Sequence, residues 1–447
     1  MHRKLKKFIV LFCAASMLLL SAGAVLAADG GPKLVTDQMS AKVKVAIEKS
    51  LKDPKFGPMT KKVVEAGAKL RGDRPGYLGI TGAPEPSWWI GLLWAIWVGW
   101  IFSTVGAFGG IMAGVGHITI FGLADYAKDF GKGNPVNKLV TDSIRVSNQW
   151  LVGLSAVISS LNYYKMGRLV LPLGMALAVG GVGGSWMIPA LTAGTISLKD
   201  YLGYFGLIVW ILGFFLIYEM TPKGQRGKKA AKAAAAAFEK STKEAAQGNE
   251  AVDKGVKIVE GKMSIMWVAV ALVVCSALWF NLVKAQMWIA YLLAVAGWVV
   301  AFMVGSIKFT FYGVEFKFKV AIPVVGGIFI AAIASFLGIG GGFLFVPFLT
   351  SVAGLPMFLV AGTSALAVLI GMIVSIFSYM VGKSIVVQWG LVGGELIGIF
   401  IGSMIGPRTS KYIPDKGLKL LFIVLAFYIG LRYTSKGFLG YSVVPPF

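Results

Sequence analysis

The chain has 447 residues, of which 57% are hydrophobic and only 14% charged, and its mean hydropathy is +0.76. So much apolar surface cannot be hidden in a soluble core, which excludes an ordinary soluble domain and points to an all-α polytopic membrane protein. A net charge of +23 would suggest nucleic acid in a soluble protein. Here Lys and Arg gather in the N-terminal segment, a central linker and short loops, where anionic lipid and the positive-inside rule account for them. Two cysteines, Cys13 and Cys275, leave no basis for a disulfide framework or a cysteine metal site.

Lys4, Lys6 and Lys7 precede an apolar run from Phe8, and small residues around Ala27 follow. Residues 1–27 therefore read as a signal peptide or signal anchor, which places 28–87 outside the cytoplasm. Between Val43 and Leu70 lysines alternate with apolar residues, which predicts one or two solvated or lipid-surface helices, ended by the turn-rich stretch Arg71 to Pro86.

The membrane body begins at Trp88 and Trp89. Apolar blocks lie at about 88–123, 146–163, 169–191, 202–219, 264–283, 286–304, 320–353, 358–380, 386–406 and 417–433. The first and seventh are too long for one ordinary span, since 34 residues of helix would reach roughly 50 Å against a hydrocarbon core of about 30 Å. Both carry glycines in their centre: Gly106, Gly109 and Gly110 in one, Gly338, Gly340, Gly341 and Gly342 in the other, the latter followed by Pro347. Each glycine weakens a helix by about 1 kcal/mol relative to alanine, and lipid cannot satisfy freed backbone groups. Each long block is thus expected to fold into two half-helices or a re-entrant hairpin whose break faces a polar site.

These blocks open two copies of one unit. Tyr164, Met166, Gly167 and Arg168 fall on Tyr379, Val381, Gly382 and Lys383, and the same displacement carries Asn148 and Gln149 onto Thr363 and Ser364. Upstream the displacement grows, Gly109 matching Gly341, so copy one carries an insertion, assigned to a polar loop from Asp125 to Asp142. Lys and Arg placement orients the copies as inverted repeats, leaving Lys383 outside as the exception. The expected organisation is repeat one at 88–220, a cytoplasmic Ala/Lys-rich linker at 221–263 and two connecting helices at 264–304. A short polar connection at 305–319, repeat two at 320–434 and a tail at 435–447 complete it. The linker reads as a mobile or lipid-surface tether, or as an element for a cytoplasmic partner, and Phe309 to Lys319 as an extended or hairpin connection. Gly394, Gly398, Gly402 and Gly406 bare one helix face for close packing, and Ala176, Gly180 and Gly184 answer in copy one.

The glycine cluster with its proline, then Gly362, Thr363 and Ser364 opening the next span, then a Gly-Lys loop, resembles the sulfite exporter TauE/SafE family. The likeness is good from Pro323 to Thr434 and weaker from Val105 to Met220, where no proline matches Pro347 and Ser147, Asn148 and Gln149 replace Gly-Thr-Ser. The resemblance implies a multi-pass permease of the bacterial inner membrane that exports sulfite, sulfonates or related sulfur oxyanions.

A broken helix directs unpaired amides and its positive dipole end into a cavity, which suits an oxyanion. The expected substrate-binding residues are Gly340, Gly341, Gly342, Thr363 and Ser364 from copy two, with Gly109, Gly110, Asn148 and Gln149 from copy one. Interhelical hydrogen bonds or helix caps are the competing reading of the four polar side chains. Glu395 and His117 are the candidates for proton coupling, with snorkelling and ordinary packing as alternatives. Arg145, Lys165, Arg168 and Lys383 read as interface markers, the first able to attract anions at a cytoplasmic mouth. No enzyme motif is present, and no metal or cofactor is expected. The partners are a small sulfur oxyanion, the lipid bilayer and protons, without nucleic acid and with a homo-oligomer left open. Two functions compete: a secondary transporter working by alternating access, and an anion channel or membrane partner subunit of a larger complex.

Overall fold

The computed structural model describes residues 34–105, 109–193, 195–224, 229–246, 255–337, 342–409 and 415–444. The signal segment 1–27 and Gly106, Gly338, Gly340 and Gly341 lie outside the described residues.

Within these bounds the chain is a helical membrane protein of sixteen α-helices and three short strands. Five helices are long and apolar enough to cross a membrane: Leu171–Thr192, Lys199–Tyr218, Met263–Val283, Met357–Gly382 and Trp389–Thr409. Further apolar helices are shorter, and four of these, Trp88–Thr104, Gly109–Ile120, Ala321–Phe336 and Gly342–Val352, come from the two long blocks. Each block holds two described helices: α3 (Trp88–Val105) and α4 (Gly109–Val115), then α12 (Ala321–Leu337) and α13 (Gly342–Pro347).

Small residues fix how the bundle pairs. In α15 (Trp389–Thr409) the four-spaced glycines lie on α3: Gly394 on Trp88, Gly398 on Leu92 and Ala95, Gly402 on Ile96 and Trp100, Gly406 on Ser103. A methyl group at any of them would collide with its neighbour, so this face tolerates glycine alone. The same device joins α7 (Leu171–Thr192) to α12, where Gly180 meets Val324, Gly184 meets Ala332 and Gly327 meets Leu177. Helices α8 (Leu198–Met220) and α16 (Asp415–Phe438) pair through Gly206 on Thr434 and Gly437 on Gly203. At the centre α6 (Pro135–Lys165) packs on α14 (Met357–Phe377), Gly153 receiving Met372 and Ile376. Helices α10 (Met263–Leu278) and α11 (Trp288–Phe302) sit at the periphery, with Trp267, Val268, Tyr291 and Leu292 exposed.

Three expectations are corrected. The N-terminal segment is a docked cap rather than a pair of solvated helices. Helices α1 (Ala41–Lys52) and α2 (Gly57–Arg71) bury Val43, Ile47 and Val64, and α1 packs on α6. Ser50 hydrogen-bonds Thr60 at 2.6 Å and Asn134 at 3.0 Å, the Tyr77 hydroxyl meets Ser143 at 2.9 Å, and the Leu78 amide donates to Gln388 Oε1 at 2.9 Å. Lys42 Nζ donates to the carbonyl of Lys383. Burial pushes the Tyr77 hydroxyl up to about 12, so it stays neutral. The lysine alternation was only half the pattern; the apolar half had a partner surface.

The stretch Asp125 to Asp142 is not a loop. It contains α5 (Leu123–Asp129) and the start of α6, where the Asn134 side chain accepts from the Val136 amide and Pro135 takes the first helical position. Nor is the linker an undocked tether. Helix α9 (Lys229–Ala246) buries Ala231, Ala234 and Phe238, whose ring lies 4.3 Å from Phe358 and 6.1 Å from Phe311. Beneath it β1 (Val256–Glu260), β2 (Ser306–Phe311) and β3 (Val314–Lys319) form an antiparallel sheet in the order β1-β2-β3, the last two being the expected hairpin.

Candidate functional site

Helix α6 carries the chemistry. Thr141, Asp142, Arg145, Asn148 and Gln149 recur at i, i+1, i+4, i+7 and i+8, so they share one helical face, and all five are buried. A polar stripe inside an apolar bundle persists only if its members find partners.

His117 and Glu395 supply the first set. His117 stands on the π-helical turn Gly116–Ile120 that ends the first broken helix, and Glu395 on α15 beside Gly394; both side chains are fully enclosed. Their Nε2 and Oε2 atoms lie 3.2 Å apart. The other ring nitrogen, Nδ1, is 2.7 Å from Asn148 Oδ1 and 3.2 Å from the Ala113 carbonyl. Nδ1 therefore faces an amide oxygen and Nε2 a carboxylate oxygen, an arrangement that suits imidazolium beside carboxylate or neutral imidazole beside a protonated carboxyl. Glu395 does not snorkel.

Arg145 organises the second set. Nη1 donates to Asp142 Oδ1 at 2.9 Å, and Nη2 to Thr192 Oγ1 at 3.0 Å and to the Ser335 carbonyl at 3.3 Å. The guanidinium lies 5.0 Å from the Tyr379 ring and 5.9 Å from Phe336. Ser335 and Phe336 belong to the last described turn of α12. Arg145 is thus buried inside the bundle rather than marking an interface. It lies toward the capped face, because α6 starts at Asn134 beneath α1 and α2.

The other expected residues divide. Gly109 and Gly110 begin α4 and are buried, Gly109 against Phe102; Gly342 begins α13 and is buried. Gly340 and Gly341 lie outside the described residues. Thr363 accepts from the Val170 amide at 3.1 Å and donates to the Leu359 carbonyl at 2.7 Å, while Ser364 donates to Ala361 at 3.2 Å. Gly362 packs on Tyr163, which places Thr363 at the Lys165 end of α6. Asn148 stands fifteen residues earlier, roughly 22 Å along the helix. Asn148, Gln149, His117 and Glu395 therefore share one region, and Thr363 and Ser364 occupy another. Arg168, also expected at an interface, is buried at that second end, its guanidinium 4.9 Å from the Tyr163 ring and 5.1 Å from Phe238.

The two ends have a common feature. Tyr163 donates to the Ser103 carbonyl at 2.8 Å, in the last turn before one glycine break, and Tyr379 to the Ser335 carbonyl at 3.5 Å, before the other. Asp142 and Arg145 were readable from the α6 stripe once that helix was extended upstream to Asn134.

Among curated proteins and among solved structures no match to the chain is found. Glu395, Thr363, Ser364 and the second broken helix fall within a region that matches a family model, whereas His117, Arg145 and Asn148 precede it. That region, residues 252–433 of a multi-pass membrane protein, matches the family model described as Sulfite exporter TauE/SafE.

Proposed function

We propose that the chain is a secondary transporter of the bacterial inner membrane that exports sulfite, a sulfonate or a related sulfur oxyanion. The observation that carries this reading is the enclosed contact of His117 with Glu395 on one side and Asn148 on the other. Membrane helices keep such groups where an ion or a proton passes. Their chemistry links the two. An oxyanion arriving near a neutral His117–Glu395 pair meets no repulsion, whereas the deprotonated pair repels it, so anion binding and proton binding favour each other by linkage.

Alternating access follows from a two-fold relationship between the copies. If α3 corresponds to α12 and α7 to α15, then the α3–α15 and α12–α7 glycine seams are one contact repeated with the copies exchanged. This reciprocity supports an inverted repeat whose two ends open in turn. The test is flux of sulfite, thiosulfate, sulfoacetate and taurine in proteoliposomes containing the full chain, with and without a pH gradient. Movement of at least one is expected; failure of all of them contradicts the proposal.

A further inference from the structure

We propose that Arg145 is the oxyanion seat of this transporter and that Asp142 is the internal carboxylate that occupies the guanidinium when the seat is empty of substrate. The inference rests on the transport reading above and gives it a recognition group that the glycine motif alone does not supply.

Four observations converge on it. Arg145 is fully buried, and a guanidinium is the side chain whose planar fork matches a sulfur oxyanion through paired N–H donors. Its present acceptors are a carboxylate, a hydroxyl and a carbonyl, of which only Asp142 carries charge. Buried polar atoms around it lack hydrogen-bond partners: Arg145 Nε, Ser335 Oγ and both amide atoms of Gln149, one helical turn farther along the same face. Native interiors rarely leave so many buried polar atoms unmet without a partner to receive them. Finally, Ser335 stands in the last described turn of α12, so the seat joins α6 to α12.

A simple structural ion pair would need none of this. Asp142 and Arg145 are three residues apart on one helix and bond through a single N–H at 2.9 Å, which leaves the remaining fork to other acceptors. An incoming oxyanion with three oxygens can replace Asp142, take Nε as well, and engage the Gln149 amide. Asp142 then keeps the electrostatic influence of Lys42 of the cap.

The experiment separates this seat from the transport reading. Detergent-purified full chain is heated with sulfite, thiosulfate or chloride, and the same proteins are assayed for flux. Wild type is expected to be stabilised by the sulfur oxyanions and not by chloride. Arg145→Lys keeps the charge but loses the fork, and should weaken the apparent affinity at least tenfold. Asp142→Asn removes the competitor, so oxyanion should stabilise it more than wild type, with an apparent affinity raised severalfold and a slower turnover. Unchanged affinity in Arg145→Lys overturns the seat even if flux persists; if that variant does not fold, an Asp142→Asn protein that gains no affinity overturns it equally. Oxyanion stabilisation lost in Arg145→Lys, in a wild type that moves no sulfur oxyanion, would uphold the seat and sink the transport reading instead.

Discussion

His117 Nε2 and Glu395 Oε2 lie 3.2 Å apart with no exposure to solvent, one on the turn that ends the first broken helix and the other on the glycine-faced helix α15. Neither residue has another charged partner in contact among the described residues. Removing one member leaves the other buried without compensation, at a cost of about 3–5 kcal/mol. His117→Gln should therefore lower the melting temperature sharply, and the double variant His117→Gln with Glu395→Gln should recover most of that loss. A double variant no more stable than the single would show that the two are not coupled.

The paired tyrosines give a second test. Tyr163→Phe and Tyr379→Phe each delete one hydroxyl that donates to a carbonyl beside a helix break, and each should cost about 1 kcal/mol. Their effects on access should be opposite in side. Reagents added from the α9 face should gain access in Tyr163→Phe, and reagents added from the capped face in Tyr379→Phe, as measured by labelling of single cysteines placed near each break.

Phe238 pins the linker. Its ring lies among Phe311, Tyr312, Phe358 and the Arg168 guanidinium, so Phe238→Ala should remove about 3 kcal/mol of docking energy. Limited proteolysis should then cut α9 at least tenfold faster, while oxyanion affinity at the Arg145 end stays unchanged.

The cap makes a prediction about pH. Burial is the main cause that holds the Lys42 ammonium below the usual lysine value of 10.5, with Asp142 opposing it and Lys383 adding to it. The docked state thus binds Lys42's proton less tightly than the undocked chain does. The penalty is fully present at neutral pH and fades as pH climbs through the lowered value toward 10.5. Wild type should gain stability relative to Lys42→Met over that alkaline window, read as the difference in melting temperature. A difference that shrinks with rising pH would contradict the placement.

Much of this architecture was written plainly in the chain. The overlong apolar blocks, the four-spaced glycines of α15 and the extended run near Phe309 each reflect a local rule, and the two helices per block, a close-packed face on α15 and the β-hairpin follow from them; that α3 is the helix on that face does not. What stayed hidden depended on partners distant in sequence. The cap helices carry ordinary amphipathic patterns, and nothing local says that Ser143, Asn134 and Gln388 await them. The start of α6 was obscured because Asp142 and Arg145 look like loop residues until the polar stripe they share with Asn148 and Gln149 is recognised as one face. The pairing of Asn148 with Thr363 as equivalent positions was legible, but not that antiparallel helices put them at opposite ends.

The central claim is coupled movement of a proton and a sulfur oxyanion through the His117–Glu395 region. Proteoliposomes holding a trapped pH indicator and given a sulfite gradient measure both at once. The account predicts sulfite flux accompanied by a pH change in the lumen, with the pH change reduced at least tenfold in Glu395→Gln while sulfite still protects the protein from heat. Sulfite movement with no proton movement, unaltered by Glu395→Gln, would contradict it.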